Sequence, residues 1–374
     1  MDVVAAAPRR PSAPRGPADP LHVVLVASSR FPLAEPFAGG LESLTWNLCR
    51  GLRERGVEVT VFAGPGSDPR LAARVLRTQP LALSDTARQD VAMPPATWLT
   101  EHHAYLQLML ELQRRDDVDV VHNNSLHHLP VAMSAAARAP MVTTLHTPPT
   151  PWLEPAIAIA DDTRSRFVAV SDHTRAAWSH VTTADVVPNG VDVRRWTAGG
   201  GGDALAWVGR LVPEKAPHLA IDAARAAGRP LRLAGPVGDA EYVEAMVRPR
   251  LGGGIELLGH LGTDELVELF GTSAATLVTP VWDEPYGLVA AESLACGTPV
   301  VAFARGGLPE FVTRDVGRLV PGGDVLAAAH MVQEAVALDR ETCRAHAVRS
   351  CSVDRMVDDY LEVYDAMLPL RGAA

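Results

Sequence analysis

Two glutamates bracket the start of a predicted helix in the second half of the chain. Glu284 lies in the loop after an apolar run that ends at Pro280, and Glu292 lies just over one turn inside a helix that opens at Gly287 and Leu288. A carboxylate in apolar surroundings is costly unless hydroxyls or charges pair with it. The first amides of a helix lack internal partners and attract anions. This spacing predicts a site for a polyhydroxylated anion, although two unrelated glutamates on one helix would give the same pattern.

A basic pair follows another apolar run, at 205–209. Lys215 is the only lysine among the 34 lysine and arginine residues, and Arg210 precedes it closely. Since arginine supplies plain charge elsewhere in this chain, the one lysine indicates a need for a compact ammonium. Arg210 and Lys215 can neutralise a diphosphate at the end of a strand, and Gly209 lets the backbone approach it. The alternative is that Lys215 is a surface residue without a functional role.

Gly39 and Gly40 open a predicted helix after the loop that follows the first apolar run. Backbone without side chains can come close to an anion and offer it free amides. A dinucleotide-binding fold would carry Gly-x-Gly-x-x-Gly directly after that run, and the chain has no such pattern there. The two glycines therefore indicate that the backbone comes close to an anion here. The alternative is that they only begin a helix.

Short apolar runs alternate with amphipathic segments along the chain. The runs, rich in Val and Leu, predict strands buried on both faces of parallel sheets, at 22–27, 57–63, 118–122, 141–146, 167–171, 205–209, 231–235, 255–259, 275–280 and 299–303. Predicted helices lie between and after them, at 40–55, 98–115, 215–227, 239–248, 263–270, 289–295, 324–338 and 353–367. The alternation is typical of doubly wound α/β units.

The alternation pauses at a turn over 187–192 and at four consecutive glycines, 199–202. Glycine-rich connectors are flexible, so we place a domain boundary here. We expect two Rossmann-like domains, over 21–193 and 194–353, whose parallel sheets face each other across a cleft. We expect the C-terminal helical segment, 354–370, to pack back on the first domain. Residues 1–20 are rich in Pro, Ala and Arg and predict a disordered tail.

Several motifs together resemble the retaining glycosyltransferases of family 4, which have the GT-B fold. Glu284 and Glu292 match the family's Glu-x7-Glu motif, and Arg210 and Lys215 match its diphosphate clamp. Further family motifs are matched at 170–171, 188–192 and 306–310. The resemblance implies an α/β protein with an N-terminal acceptor domain and a C-terminal nucleotide-sugar donor domain.

The resemblance also implies roles for individual residues. The catalytic residues it implies are His146, Arg210, Lys215 and Glu284. The donor-binding residues it implies are Gly39, Gly40, Gly209, Arg210, Lys215, Glu284, Tyr286, Gly287, Leu288, Val289 and Glu292. Arg210 and Lys215 would neutralise the departing diphosphate, Glu284 would hold sugar hydroxyls, and Glu292 would bind the ribose. His146 would meet the sugar near its anomeric carbon.

No metal and no other cofactor is implied, because the arginine and lysine do the work of a cation. Members of the family retain the anomeric configuration without a clear protein nucleophile. A same-face attack assisted by the leaving phosphate is the usual proposal, and we therefore nominate no nucleophile.

The acceptor contacts are predicted less directly. His122, Asn123 and Asn124 follow a predicted strand, at the edge where α/β folds bind ligands. With Thr147, which follows His146, they are our candidates for acceptor contacts, and a solvated loop is the alternative. The spacing of the nearby histidines fits no common zinc site.

Composition excludes several classes of partner. A net charge of −10 argues against a nucleic-acid partner. No stretch approaches the ~20 apolar residues of a membrane span, and the first residues lack the apolar core of a signal peptide. Four scattered cysteines indicate reduced thiols. We expect a cytoplasmic protein without a membrane partner, and a homodimer is compatible with the sequence.

The sequence thus predicts a hexosyltransferase. We expect it to move glucose or N-acetylglucosamine from a nucleotide-diphosphate sugar, UDP-linked, to a small soluble acceptor in natural-product or small-metabolite biosynthesis. One alternative is a GDP-sugar-dependent enzyme acting on a glycolipid or polysaccharide precursor. Another is a phosphorylase-like enzyme with pyridoxal phosphate on Lys215, and a third is a non-catalytic nucleotide-sugar sensor.

Overall fold

The computed structural model of the protein describes residues 19–75, 82–160 and 163–368. Within these ranges the chain forms two α/β domains, each built on one sheet whose strand pairings are parallel. This confirms the predicted α/β class with two parallel sheets. The predicted tail at 1–20 lies outside the described residues except for its last two positions.

The first domain contains the N-terminal sheet. Its strands are β1 His22–Val26, β2 Glu58–Ala63, β3 Arg74–Val75, β4 Val120–Asn123, β5 Met141–Leu145, β6 Arg166–Ala169 and β7 Ala184–Val186. Its helices are α1 Gly40–Glu54, α2 Asp85–Arg88, α3 Ala96–Leu112, α4 His128–Ala132, α5 Leu153–Ile159 and α6 Asp172–Trp178. The strand order is β3-β2-β1-β4-β5-β6-β7. The central strands β1, β4 and β5 are buried throughout, which explains their continuous apolar runs.

The second domain contains the C-terminal sheet. Its strands are β8 Leu205–Val208, β9 Leu231–Ala234, β10 Ile255–Leu257, β11 Thr276–Val278, β12 Val300–Phe303 and β13 Gly317–Val320, in the order β10-β9-β8-β11-β12-β13. Its helices are α7 Pro217–Ala226, α8 Ala240–Tyr242, α9 Thr263–Gly271, α10 Leu288–Ala295, α11 Leu308–Phe311, α12 Val325–Ala335 and α13 Arg340–Ser350. A final helix, α14 Val353–Met367, follows them.

Some elements differ from the sequence prediction. The strands that the pattern missed, β3, β7 and β13, all lie at sheet edges, where strands are short and carry fewer apolar residues. The helix predicted at 215–227 begins at Pro217, because Pro213–Lys215 forms a 3-10 turn and Ala216 takes a left-handed conformation (φ 47°). The helix predicted at 239–248 is α8 followed by a π-helical turn at Val243–Val247. Helix α13 was missed because most of its residues are polar and only Cys343 and Ala347 are buried.

Helix α14 packs against α1, and its apolar residues join the core of the first domain. A buried polar network adds to this contact. The two ring nitrogens of His122 form hydrogen bonds with the hydroxyls of Tyr364 (2.6 Å) and Thr144 (2.8 Å), and Thr144 also bonds Tyr360 (2.9 Å). Burial lowers the pKa of His122 to about 3, so this imidazole is neutral at pH 7. The network ties the last helix of the chain to the centre of the first sheet.

Contacts also join the two domains across the cleft. The carboxylate of Glu310 accepts hydrogen bonds from the amides of Asp172 and His173 (2.8 and 2.7 Å) at the start of α6. Gly40 approaches Leu288 so closely that a Cβ at Gly40 would lie 2.8 Å from a methyl carbon of that leucine. The starts of α1 and α10 therefore face each other at short range.

The network predicts a stability effect of replacing His122 by Leu. The change removes the hydrogen bonds that the imidazole makes with Thr144 and Tyr364, and each unmade buried hydrogen bond costs roughly 1–3 kcal/mol. We expect the free energy of unfolding in denaturant to fall by about 2–4 kcal/mol. The same substitution at His330, which is exposed on α12, is the matched control and should change it by less than about 0.5 kcal/mol. Equal effects of the two substitutions would contradict this role of His122.

Candidate active site

A cavity of about 410 Å³ lies between the two domains, and both contribute to its wall. The first domain supplies the loop after β1, the first turn of α1 and the end of β5, whereas the second supplies the ends of β8 and β11 and the start of α10. The carboxyl ends of parallel strands meet at this edge, where α/β sheets bind ligands. Most of the predicted site residues line the cavity: Gly39, Gly40, His146, Thr147, Gly209, Arg210, Lys215, Glu284, Tyr286, Gly287, Leu288, Val289 and Glu292.

The start of α10 presents free amides at the position where the sequence predicted anion binding. Gly287 takes a positive φ of 104°, which glycine adopts without strain, and thereby turns the chain into the helix. The amides of Leu288 and Val289 donate no hydrogen bond to any acceptor in the described ranges. Both residues line the cavity, so the positive end of this helix meets its interior.

Lys215 and Glu284 form an ion pair in the cavity. The ammonium lies 2.5 Å from a carboxylate oxygen of Glu284, and the indole N–H of Trp282 donates to the same oxygen at 3.1 Å. The ammonium also lies 5.1 Å from the centre of the Trp282 ring, within cation–π range. Only 23% of the Lys215 side chain is exposed, so the ammonium is directed into the cavity rather than into bulk solvent.

Glu42 is a cavity residue that sequence analysis missed. It lies in the first turn of α1, is 5% exposed, and lines the cavity opposite Arg210 of the second domain. Burial raises the pKa of the Glu42 carboxyl, while its own amide and the Arg210 guanidinium act in the opposite direction. The available signal in the sequence was an acidic residue two positions after Gly40. A carboxylate there would repel an anion bound at the helix start, so its presence is unexpected for such a site.

Glu292 lies on α10, one turn below the helix start. Its carboxylate lines the cavity and has no hydrogen-bond or ion-pair partner among the residues that the structure covers. Burial raises the pKa of Glu292 to about 8, so the carboxyl is mainly protonated at pH 7. A group that donates hydrogen bonds to the carboxylate would offset this cost.

His146 follows β5 and forms a hydrogen bond through Nε2 with the side-chain oxygen of Asn124 at 3.0 Å. Burial lowers the pKa of His146 to about 3. The imidazole is therefore neutral at pH 7 and can form hydrogen bonds without carrying charge. Asn124 itself is fully buried and does not line the cavity.

Three of the four predicted acceptor residues, Asn124 among them, do not line the cavity. His122 is fully buried in the polar network with Tyr364 and Thr144. Asn123 is also fully buried, and its side-chain oxygen accepts hydrogen bonds from the amide and the hydroxyl of Ser125. Neither lines the cavity, because His122 faces α14 and Asn123, on the other face of the same central strand, bonds Ser125. Of the predicted acceptor residues, only Thr147 lies in the cavity wall.

Tyr286 lines the cavity but its ring packs inward. The ring is 4% exposed and stacks on Phe311 at a centroid distance of 4.9 Å, and its hydroxyl is buried. Tyr286 therefore supports the loop that carries Glu284, and its hydroxyl does not face the cavity.

Two further properties concern metals and membranes. Across the described ranges, no group of three or more His, Cys, Asp or Glu side chains is arranged to hold a metal ion. In the same part of the chain, no helix has both the length and the apolar character required to cross a bilayer.

Two parallel-sheet domains and a charged cavity between them define a glycosyltransferase of the GT-B class. Family models match consecutive parts of the chain: Glycosyltransferase Family 4 matches residues 38–195, and Glycosyl transferases group 1 matches residues 194–347. A D-inositol 3-phosphate glycosyltransferase of Acidothermus cellulolyticus is 30% identical over 426 residues, which cover 96% of this chain and 93% of that protein. The chain belongs to family 4 of the glycosyltransferases.

Solved structures agree with this fold. AviGT4, a glycosyltransferase involved in avilamycin A biosynthesis, has a TM-score of 0.69 at 26% identity, covering 93% of this chain and 98% of that chain. HepE of Anabaena, in complex with UDP and glucose, has a TM-score of 0.72 at 19% identity, covering 92% and 99%. The GT-B fold implied by the sequence is therefore confirmed.

The ion pair predicts the effect of replacing Lys215 by Arg. The substitution keeps the charge, but the planar guanidinium cannot occupy the confined position between Glu284 and Trp282. We expect kcat to fall about tenfold or more, since one misplaced charge at a developing anion commonly costs this much. Steady-state release of nucleoside diphosphate measures the effect. Arg248→Lys, on the exposed surface of the second domain, is the control, and near-normal turnover of Lys215→Arg would contradict the requirement for an ammonium.

The raised pKa of Glu292 predicts a proton linkage. Hydroxyls of a bound nucleotide that donate to this carboxylate favour its charged form and lower its pKa from about 8. A proton is then released near pH 7, and affinity rises as the pH increases towards 8. Calorimetry of nucleoside diphosphate in buffers of different ionisation enthalpy detects the release. Glu292→Gln should abolish it and weaken binding by roughly 1–3 kcal/mol.

The control for that measurement is Glu256→Gln, which alters an exposed carboxylate on an edge strand. It should retain both the proton release and the affinity of the unmodified protein. Proton release that survives in Glu292→Gln would show that another group is responsible.

Proposed function

We propose that this glycosyltransferase moves a hexose, glucose or N-acetylglucosamine, from a UDP-sugar to a hydroxyl of a small soluble acceptor, with retention of configuration and without a metal. The observation that supports this most is the Lys215–Glu284 pair beside the free amides of α10. A cation, two amide donors and a carboxylate thus share the wall of one cavity, which suits a sugar joined to a diphosphate.

The donor would span the cavity in one orientation. Its diphosphate would lie at the amides of Leu288 and Val289, with Arg210 and Lys215 supplying the charge that a metal provides elsewhere. Glu292, one turn along α10, would accept hydrogen bonds from the ribose. Because Glu284 is held by Lys215, its carboxylate is positioned for sugar hydroxyls on the other side of the diphosphate.

The transfer itself follows from these positions. The acceptor oxygen bonds to the anomeric carbon as the bond from that carbon to the diphosphate breaks, and the acceptor proton passes to the departing phosphate oxygen. Arg210 and Lys215 stabilise the charge that develops on the diphosphate. The neutral imidazole of His146 can contribute a hydrogen bond near the anomeric carbon, but it carries no positive charge at pH 7.

A soluble acceptor is favoured by the contacts that the basic residues of α1 make. Arg50 lies near Glu54 and Asp192, and Arg55 near two aspartates of α14. The guanidinium of Arg53 donates to main-chain carbonyls. These arginines are therefore already engaged, which leaves less charge for anionic lipid than the sequence suggested. The named relatives, which act on D-inositol 3-phosphate or in avilamycin A biosynthesis, agree with a small hydroxylated acceptor.

A thermal-shift screen with UDP-, GDP-, ADP- and TDP-sugars tests the donor. A ligand at 100 times its Kd stabilises the folded protein by about 2.7 kcal/mol, so the true donor should raise the midpoint by a few degrees. We expect the largest shift with a UDP-sugar. Release of UDP over hours would exclude a non-catalytic sensor, and the anomeric proton signal of the product reports retention. A larger shift with GDP-sugars would contradict the UDP assignment.

A further inference from the structure

The loop that carries Glu284 is held by residues of the other domain. Ser171 lies in the first domain, directly before α6, and its hydroxyl donates a hydrogen bond to the main-chain carbonyl of Pro285 at 2.6 Å. The hydroxyl of Thr174, in the first turn of α6, donates to the same carbonyl at 3.3 Å. Pro285 is buried, and no amide in the described ranges donates to its carbonyl. This carbonyl therefore depends on the two hydroxyls of the first domain.

The second domain holds the same loop from its other side. The amide of Gly307 donates to the carbonyl of Glu284 at 2.8 Å. A Cβ at Gly307 would lie 2.6 Å from the carbonyl oxygen of Pro285 and 3.0 Å from the Cβ of Ser171. The loop is therefore enclosed between the start of α6 and the turn after β12, with little space in which to shift.

A second contact runs between the domains in the opposite direction. The carboxylate of Glu310, in the second domain, accepts the amides of Asp172 and His173 at the start of α6. Two of the motifs noted in the sequence, at 170–171 and 306–310, thus meet at one place. We refer to this set of contacts as the α6 clasp, which consists of Ser171, Thr174, Pro285 and Glu310.

The α6 clasp lies next to groups that face the cavity. Glu284, whose carboxylate lies 2.5 Å from the ammonium of Lys215, directly precedes Pro285. Helix α10, with its free amides, begins three residues after Pro285. Arg210 and Lys215 follow β8 and have no contact with α6 among the hydrogen bonds and ion pairs of the described residues. A change in the clasp should therefore act on Glu284 before it acts on the two cations.

We propose that Ser171 is a positioning residue for the transfer, because its hydroxyl holds the loop that directs the Glu284 carboxylate. The inference rests on the proposed function, which assigns that carboxylate to the hydroxyls of the donor sugar. Loss of the Ser171 hydroxyl leaves a buried carbonyl without its shorter hydrogen bond, and the loop relaxes to find another partner. A small displacement of a group that orients the sugar is enough to slow the reaction strongly. The first domain thus takes part in shaping the donor side of the cavity.

Hydrogen–deuterium exchange of the full chain tests the clasp without any ligand. In Ser171→Ala we expect exchange to become about threefold faster or more in peptides spanning 282–291 and 304–311, although these peptides belong to the second domain. Ser171 also caps α6 by accepting the amide of Thr174 at 3.1 Å, so the control must lose a cap as well. Asp324→Ala removes the cap of α12 and should leave both peptides unchanged. Equal exchange in Ser171→Ala and the unmodified protein would overturn the clasp.

Kinetics test whether the clasp positions Glu284 for the transfer. In Ser171→Ala we expect kcat for release of UDP from UDP-glucose to fall about tenfold or more, while the Kd of UDP in calorimetry stays within about threefold. Thr174→Val removes the longer of the two hydrogen bonds and should lower kcat by less. Asp324→Ala should change neither quantity.

Two kinetic results would overturn the positioning role. One is a near-normal kcat in Ser171→Ala, and the other is a loss of UDP affinity as large as the loss of kcat, which would mark general damage to the site. Absence of UDP release from the unmodified protein would contradict the proposed function alone, because the exchange measurement needs neither donor nor acceptor.

Discussion

The ion pair between Lys215 and Glu284 is the interaction around which the site is arranged. It joins the turn after β8 to the loop after β11, and Trp282 holds the shared carboxylate from its other side. Two opposite charges at 2.5 Å in a partly enclosed cavity hold each other in place, so neither depends on substrate for its position. Without this pair, Arg210 would be the remaining cation of the second domain on the cavity wall among the described residues, and the carboxylate would lack the partner that fixes its direction.

The second constraint is the short distance between the domains. Gly40 and Leu288 allow the starts of α1 and α10 to face each other, so that groups from both helices can meet one small ligand. Glu310 closes another part of the interface by accepting the first amides of α6. The same closeness explains why the positive charge of Arg210 acts on the Glu42 carboxyl although the two residues belong to different domains.

Residue type and local spacing indicated residues that the fold brings to one cavity. The single lysine, the Glu284–Glu292 spacing and the glycine at the start of α10 all indicated a diphosphate and hydroxyl site, and the structure places them on one cavity. The apolar pattern missed the edge strands β3, β7 and β13 and polar helices such as α13. In these segments the pattern is weak, and tertiary packing determines which secondary structure forms. Glu42 was missed because its importance comes from the other domain.

The histidines separate what the chain itself determined from what only folding decided. The order of apolar runs determined two parallel sheets, because a strand covered by helices on both faces must be apolar throughout. It also placed both His122 and His146 at or after the ends of strands, and the apolar pattern by itself does not distinguish them. Only the docking of α14, whose Tyr364 lies 242 residues beyond His122, turned one histidine into a buried structural link and left the other at the cavity. Whether a residue is buried depends on segments that are distant in sequence, and the local sequence does not show which of them will pack against it.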